Sequence, residues 1–187
     1  MNKTIPSLKM SNAILIKYFK TEFGELILGS FDNKLCLCDW RYRKQRNAID
    51  TRITKSLNGN YELGNSEIIE KTKIQLTEYF NRKRTEFDIP LLILGTDFQT
   101  QVWQALIKIP YGKTFSYLEL SNKLNKPKAI RAVATANGAN AISILIPCHR
   151  IIGKSGDLVG YAGGFSSKKK LLQLEDAIDQ NQLNLFS

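Results

Sequence analysis

The sequence contains little of what several common protein classes require. Its three cysteines are an odd number without framework spacing, so a disulfide scaffold is excluded and a reducing, cytoplasmic location is expected. Cys36 and Cys38 have no further cysteine or histidine nearby, whereas a structural zinc site needs four ligands, so no metal is expected. No apolar run is long enough to span a bilayer as a helix, and the N-terminus lacks the apolar core of a signal peptide.

Acidic residues are also few. The 187 residues include 27 Lys and Arg but only 17 Asp and Glu, a net charge of +10. The excess is divided evenly, with +5 in residues 1–92 (16 basic, 11 acidic) and +5 in residues 93–187 (11 basic, 6 acidic). A basic chain of this size often binds nucleic acid, and the alternative is a generally basic, solvated surface. A hydrophobic content of 43% is typical of a globular protein with its own core.

The first half is patterned as strands followed by a helix. Apolar, β-rich segments predict strands at residues 13–19, 26–31 and 35–40. Cys36 and Cys38 are two apart and are therefore predicted to share one face of the third strand. A polar loop is predicted from the basic stretch after Trp40 to about Ser66. Periodic apolar residues then predict a helix ending near Arg82, followed by an extended segment at 87–94.

The second half shows clear helix starts. Thr96 and Ser116 each precede a Gln or Glu by three residues, which predicts two capping boxes. Pro127 suits the first position of a third helix over residues 128–137. Two short helices joined by a turn predict a helix-turn-helix, although such units are also common as plain structure. A last helix is predicted at 167–177.

Cys148 and His149, the only histidine, stand at Pro147, where a buried-strand pattern at 142–147 ends. A thiol reacts as its thiolate, and a neighbouring base promotes that form. Adjacent strand residues point to opposite faces, so a turn or a bridging water would have to connect the two side chains. The alternatives are a buried structural cysteine and a histidine without a chemical role. The base would need a carboxylate to orient it, and spacing cannot choose among the acids of this half. These are Asp97, Glu119, Asp157, Glu175, Asp176 and Asp179.

A glycine-rich stretch covers residues 153–164. It lacks the strand and the helix that flank a phosphate-binding loop, so no nucleotide cofactor is expected. A close-approach loop beside a flat ligand and a plain turn region both remain open.

Several of these segments together resemble the O6-alkylguanine-DNA alkyltransferases, also called methylated-DNA–protein-cysteine methyltransferases. The active-site signature is the run of residues 147–150, Pro-Cys-His-Arg, after Ile-Leu-Ile. The resemblance is specific over residues 87–176 and only general over residues 12–86. The matching motifs are Gly95-Thr96-Asp97-Phe98-Gln99, Val102-Trp103, Ile109-Pro110-Tyr111-Gly112-Lys113-Thr114, Ser116-Tyr117, Pro127-Lys128-Ala129, Arg131-Ala132-Val133, Gly160-Tyr161-Ala162-Gly163-Gly164, and Leu171-Leu172 before Glu175.

The resemblance implies a role for individual residues. Cys148 would accept the alkyl group irreversibly, His149 would act as a base through a water, and Glu175 would orient the base. Asn140 would link the helix-turn-helix to the site, although Ala141 replaces the proline that commonly follows it. Among the DNA contacts, the resemblance implies that Tyr117 helps to rotate the nucleotide out of the duplex and that Arg131 is the finger that fills the vacated place. It also implies that Ala129 and Ala132 contact DNA from the recognition helix. The matching wall of the guanine pocket consists of Pro147, Val159, Tyr161, Ala162 and Gly163.

The resemblance also implies an architecture and a partner. We expect a ribonuclease-H-like α/β domain at 1–92, with an antiparallel sheet and a helix. A mainly helical, winged-helix-like domain with the helix-turn-helix is expected at 93–187. The expected partner is double-stranded DNA carrying O6-alkylguanine or O4-alkylthymine, bound by a monomer, with cooperative binding along DNA left open. The rival hypotheses are a DNA-binding regulator without chemistry and a cysteine hydrolase.

Overall fold

The first half of the chain forms a four-stranded sheet with two helices. In the computed structural model, which describes residues 12–178, these elements are β1 (Ala13–Thr21), β2 (Gly24–Phe31), β3 (Lys34–Trp40), α1 (Arg46–Leu57), β4 (Asn60–Leu63) and α2 (Glu67–Phe80). The strand order is β3-β2-β1-β4, with β2 antiparallel to both neighbours and β4 parallel to β1. The three predicted strands and the predicted helix are confirmed.

The polar loop predicted up to Ser66 is wrong, because this segment contains α1 and β4. Only Ile49 and Ile53 of α1 are buried, one turn apart, which is too narrow an apolar stripe for periodicity to detect. β4 has only four residues and is mostly exposed, and it is a strand because it pairs with β1. Tertiary contacts therefore decided both elements.

A bulge in β3 separates its two cysteines. The register between β2 and β3 shifts between Gly29 and Ser30, which leaves Cys36 as the extra residue. The extra residue breaks the alternation of faces, and Cys36 and Cys38 pack into different hydrophobic clusters. The prediction that they share one face is wrong for this reason.

The second half is mainly helical. Its elements are α3 (Asp97–Ile107), β5 (Phe115–Ser116), α4 (Tyr117–Lys123), α5 (Ile130–Gly138), a one-turn 3-10 helix (Cys148–Arg150), β6 (Ile151–Ile152) and α6 (Gly164–Leu174). Both capping boxes are confirmed, with reciprocal hydrogen bonds at Thr96 and Ser116. α6 begins and ends three residues earlier than predicted. Within residues 12–178, no helix is long and apolar enough to span a membrane.

The helix after the turn begins at Ile130, not at residue 128 as predicted. The Ala129 amide donates to the Lys126 carbonyl (2.8 Å), which closes a turn that contains Pro127. The hydroxyl of Ser121 also donates to Lys126, at 2.5 Å. Pro127 therefore shapes the connection between α4 and α5 and is not the first residue of α5.

The outer edge of β3 joins the two halves. The Cys38 amide donates to the Ala141 carbonyl (2.9 Å), and the Ser143 amide donates to the Cys38 carbonyl (2.6 Å). Farther along the same edge, Leu35 exchanges backbone hydrogen bonds with residues 90 and 92. The main hydrophobic cluster contains side chains from both halves, including Leu26 and Trp103. The segment just before Cys148 is therefore held against the N-terminal sheet.

The N-cap of α3 offers a test of this architecture. Thr96→Ala removes a side-chain acceptor from the Gln99 amide and should lower the free energy of unfolding by about 1 kcal/mol. Thr100→Ala, inside the same helix, is the matched control and should change it by less than about 0.5 kcal/mol. Urea denaturation of the variants measures both values. Equal effects would mean that the cap contributes nothing specific.

Candidate active site

A cleft of about 730 Å³ lies between the two halves of the chain, and Cys148 is one of its lining residues. The first half contributes Trp40 and Arg43 to the lining, and the second half contributes Tyr117 and Tyr161. Cys148 itself is only 3% exposed. The reactive thiol candidate therefore lies in a recess that both halves build.

The chain reaches Cys148 through a tight turn. Residues 142–147 were predicted as a buried strand, but only single bridges form there, and Ser143 pairs with Ile146 across the turn. Ile144 adopts a left-handed backbone conformation (φ +75°), which is strained for a β-branched residue. The prediction of a strand is wrong because burial on all sides, rather than pairing along a sheet, makes this segment apolar.

Asn140 holds this turn together. Its side-chain amide donates to the Ile146 carbonyl (2.9 Å) and to Cys148 Sγ (3.2 Å), and its oxygen accepts from the Ile142 amide (2.9 Å). Asn140 is 1% exposed, so these contacts face no competition from bulk water. The side chain thus fixes the backbone around the cysteine and places a donor on its sulfur.

His149 is oriented by a buried carboxylate. Its Nε2 lies 2.8 Å from Glu175 Oε1, and both side chains are fully buried. Nδ1 of His149 has no hydrogen-bond partner among residues 12–178. Cys148 and His149 are consecutive residues of the 3-10 turn, but no hydrogen bond joins their side chains in the described part of the chain. His149 therefore has one nitrogen fixed by Glu175 and the other free to exchange a proton.

Glu175 accepts hydrogen bonds from several directions. The Tyr79 hydroxyl of α2 donates to it at 2.6 Å, and Arg150 donates to both of its oxygens, at 2.8 and 2.9 Å. The Gly112 amide, just after α3, contributes a weaker contact at 3.2 Å. Of the six acids considered from sequence, Glu175 is the one that contacts His149, and Asp179 lies outside the described residues.

These contacts set the protonation states of the site. Burial by itself raises the pKa of Glu175, but hydrogen bonds and charge from His149 and Arg150 hold that pKa well below its usual range. Burial lowers the pKa of His149, and Glu175 opposes this only in part. Burial also raises the pKa of the Cys148 thiol, against the hydrogen bond from Asn140. At neutral pH the arrangement is therefore a thiol, a neutral imidazole and a carboxylate.

The wall of the cleft beside Cys148 is formed by the loop before α6. Tyr161, Ala162 and Gly163 line it, whereas Pro147 and Val159 are not among the lining residues. A Cβ atom on Gly163 would come within 2.5 Å of the Trp40 ring, so only glycine fits there. Pro147 is buried next to Cys148, and the Val159 carbonyl accepts from Lys168 at 2.8 Å.

α4 and α5 form the predicted helix-turn-helix. Arg131 and Ala132 are exposed on the first turn of α5, and Ala129 is half-buried just before it. Tyr117, the first residue of α4, is half-buried at the cleft. α5 is held to α3 by the Trp103 indole, which donates to the Ala136 carbonyl at 2.8 Å. α5, which has Arg131 and Ala132 exposed at its start, is therefore fixed to α3.

Sequence reasoning missed three residues of the site. Tyr79 is one of the buried residues of α2, and no local pattern indicates its contact with Glu175. Arg150 is the last residue of the Pro-Cys-His-Arg run, but its contact with Glu175 was not predicted. Lys168 is fully buried, donates to the carbonyls of residues 151 and 159, and has its pKa lowered by burial to about 8. A lysine on the same helical face as Leu171 and Leu172 was the signal that could have indicated its burial.

The described residues contain no cluster of three or more metal-ligating side chains. The two cysteines of β3 lie in different hydrophobic clusters and do not form a pair of ligands. Cys148, His149 and Glu175 have the arrangement expected of a nucleophile, a base and an orienting acid.

Comparison with known proteins assigns both halves to one family. Residues 14–93 match the ribonuclease-like domain of 6-O-methylguanine DNA methyltransferase, and residues 97–177 match the DNA-binding domain of the same family. A methylated-DNA–protein-cysteine methyltransferase of Mycobacterium tuberculosis is 52% identical over 112 residues, which is 60% of this chain and 68% of that protein. The inducible enzyme of Bacillus subtilis is 46% identical over 121 residues, 65% and 68% of the two chains.

Solved structures agree with these matches. The O6-methylguanine methyltransferase of M. tuberculosis superposes with a TM-score of 0.74 at 36% identity, covering 93% of this chain and 99% of that one. Its complex with DNA gives the same TM-score at 37% identity, covering 88% and 93%. The expected fold class, a ribonuclease-like domain followed by a DNA-binding domain, is confirmed.

Removing the buried carboxylate of Glu175 should change how the rate of alkyl transfer depends on pH. Glu175→Gln removes the charge that favours a protonated His149, so the histidine accepts the thiol proton less readily. We expect alkyl transfer to slow by about tenfold or more and its pH–rate profile to move to higher pH. Single-turnover rates across a pH series, on any alkylated substrate that the wild type accepts, measure both effects.

Two controls accompany this variant. Glu175→Gln leaves Arg150 buried without its counter-ion, so the melting temperature must be measured alongside the rate. Tyr79→Phe removes one hydrogen bond from the carboxylate but keeps its charge, and should not move the profile to higher pH. An unchanged profile in a folded Glu175→Gln protein would reduce Glu175 to a packing residue.

Proposed function

Because this chain belongs to the 6-O-methylguanine DNA methyltransferase family, we propose that it repairs alkylated DNA by transferring the alkyl group to its own Cys148. The reaction is direct reversal of damage, and the enzyme is a methylated-DNA–protein-cysteine methyltransferase. The substrate is double-stranded DNA carrying O6-alkylguanine, with O4-alkylthymine as a further substrate. Each molecule acts once, because the thioether formed on Cys148 is not removed.

The observation that carries this proposal is the set of contacts around one buried sulfur. Asn140 donates to Cys148 Sγ at 3.2 Å, and the adjacent His149 is oriented by Glu175 at 2.8 Å. A structural cysteine would need neither contact. Cys148 lines a cleft whose volume, about 730 Å³, is ample for a purine base.

The chemistry is an in-line displacement at carbon. The thiol proton passes to His149, whose Nδ1 is free to take it, through a water as in the family. The sulfur electron pair forms a bond to the alkyl carbon while the bond from that carbon to O6 breaks, and the electrons of the broken bond remain on the base. Water protonates the leaving guanine, which lowers the barrier, and His149 returns the thiol proton to water, so the protons balance.

Geometry requires the damaged nucleotide to leave the duplex. Cys148 is 3% exposed and cannot reach a base that is stacked in DNA. Flipping costs a few kcal/mol, and least for a weakly paired damaged base. We assign Tyr117, at the cleft, to crowding the 3′ phosphate and Arg131, exposed on α5, to filling the vacated position. Ala129 and Ala132 lie beside Arg131 and allow the backbone of α5 close to DNA.

Phosphate contacts should dominate binding. The net charge of +10 is spread along the chain, which suits sequence-tolerant association with DNA. A helix-turn-helix regulator would use the same charge, but it leaves the arrangement of Cys148, His149 and Glu175 without a purpose. A cysteine hydrolase would turn over repeatedly and would need no exposed arginine on α5. We also predict that the protein is a monomer, that it is cytoplasmic, and that its domains divide after residue 92.

The central test is the mass of the intact protein after incubation with DNA containing O6-methylguanine. The wild type should gain about 14 Da, on the peptide that contains Cys148. Cys148→Ser should bind the same DNA without the gain, since a hydroxyl lacks the nucleophilicity of a thiolate. Cys36→Ser, a buried cysteine of β3, is the matched control and should keep the transfer. Binding without any gain would favour the regulator, and repeated turnover would favour the hydrolase.

A second test separates DNA handling from chemistry. Arg131→Ala should slow repair of duplex DNA strongly at saturating DNA, because the finger stabilises only the flipped state. Reaction with the free O6-alkylated guanine base, which has no stack to leave, should be nearly unchanged. Single-turnover rates on both substrates measure this, and equal losses would indicate damage to the pocket instead.

Lys128→Ala provides the comparison for the loss of one charge. Lys128 is exposed just before α5. Loss of a phosphate contact there should make the salt dependence of binding shallower by about one unit, with near-normal rates at saturation. If Arg131→Ala behaves in the same way, Arg131 is a phosphate contact and not a finger.

A further inference from the structure

A second buried carboxylate near Cys148, that of Asp39, belongs to the N-terminal half. Asp39, at the end of β3, is fully buried, and its Oδ2 accepts from Arg43 at 2.8 Å and from Arg46 at 3.0 Å. Its Oδ1 accepts from the Ser143 hydroxyl at 3.2 Å, within the turn that leads to Cys148. The proposed mechanism so far uses none of these groups.

Arg43 also reaches into the second half of the chain. Its guanidinium donates to the Asn140 carbonyl at 2.9 Å and to the Gly138 carbonyl at 2.6 Å. The Arg52 guanidinium donates to the carbonyl between them, that of Ala139, at 2.8 Å. These carbonyls lie at the C-terminal end of α5, where a helix has unpaired acceptors and partial negative charge. Two arginines of the N-terminal half therefore bind the end of the helix that carries Arg131.

The contact at Asn140 connects this cluster to the sulfur. Arg43 holds the backbone carbonyl of Asn140, while the Asn140 side chain donates to Cys148 Sγ. Arg43 itself is 6% exposed and lines the cleft together with Cys148. A planar guanidinium can hold a carboxylate and two carbonyl groups in fixed directions at once, which a lysine cannot do.

We propose that Arg43 is a positioning residue for alkyl transfer, which fixes the C-terminal end of α5 and the Asn140 amide relative to the Cys148 thiol. The proposal rests on the function proposed above. Burying an arginine with an aspartate is costly, and apolar side chains could fill the same space without that cost. The geometry explains the cost, because the arginine sets the position of both the DNA-binding helix and the nucleophile.

Arg43 also adds positive charge near the sulfur. Together with Lys168, it lowers the pKa of Cys148 against the larger effect of burial. The charged and titratable groups facing the thiol come from several elements: Cys38 and Asp39 from β3, Arg43 from the turn after it, Tyr117 from α4, Tyr161 from the loop before α6, and Lys168 from α6. Removing the Arg43 charge should therefore make the thiolate harder to form.

The test uses the full chain with two substitutions, Arg43→Met and Arg43→Lys, and the matched control Arg41→Met. Arg41 is two residues away, carries the same charge and pairs with Glu25, and it is not among the charges named as acting on the Cys148 thiol. Single-turnover rates are measured from pH 6 to pH 10, a range that extends to both sides of the ordinary thiol pKa of about 8.5. The two substrates are duplex DNA containing O6-methylguanine and the free O6-methylguanine base.

The proposal makes a different prediction for each variant. Arg43→Met should react about tenfold or more slowly on both substrates, with its pH–rate midpoint moved to higher pH. Arg43→Lys keeps a cation and should retain the wild-type midpoint, but it should remain slower because it cannot hold both carbonyls. Arg41→Met should match the wild type in rate and midpoint.

The outcomes that overturn the proposal are equally specific. It is wrong if folded Arg43→Met reacts at the wild-type rate, or if its rate loss equals its loss of folded protein by circular dichroism with no shift in midpoint. If Arg43→Met does not fold, Arg43→Lys decides, and a wild-type rate on both substrates refutes the role. Failure of the proposed function would look different, since the wild type itself would then gain no alkyl mass.

Discussion

The fold around the reactive centre depends on one buried carboxylate, that of Glu175. It accepts hydrogen bonds from Tyr79 in the N-terminal half, from His149 and Arg150 beside the nucleophile, and from the Gly112 amide after α3. A buried charge is tolerated only when such donors surround it, so each of these segments must occupy its place for the charge to be stable. The requirement of satisfying one carboxylate therefore assembles parts of the chain that are far apart in sequence.

The N-terminal half is consequently part of the site rather than a separate support. It supplies Tyr79, which contacts Glu175, and the cluster of Asp39 and Arg43, which contacts Asn140. The backbone bridge between Cys38 and the segment at 141–143 holds the two halves in register. Two buried carboxylates, Asp39 through Ser143 and Glu175 through His149, thus restrict the position of the turn that carries Cys148.

Burial also explains how reactivity is controlled. The thiol of Cys148 is shielded from water, and its pKa is raised, so the free protein holds a weak nucleophile. His149 is the base that we propose for the reaction, and burial lowers its pKa, which keeps the imidazole neutral and able to accept a proton. In the proposed reaction a flipped base would enter the cleft that Cys148 lines, where Glu175 already holds His149 in place.

The sequence by itself determined the features that depend on neighbours along the chain. The capping boxes at Thr96 and Ser116, the first three strands and the helix-turn-helix all follow from short-range pattern, because caps and periodicity act within one or two turns. The motif around Cys148, through its resemblance to known alkyltransferases, indicated the family and the fold before any contact was visible.

Only the tertiary structure decided the features that depend on distant contacts. α1 and β4 lie in a segment without a local pattern, and the bulge at Cys36 is visible only from the pairing of β2 with β3. The contact of Tyr79 with Glu175 spans 96 positions of the sequence, and that of Arg43 with Asn140 spans 97. A buried polar contact is set by the need to pair a desolvated group with whatever the fold brings near it, and sequence spacing carries no record of that neighbour.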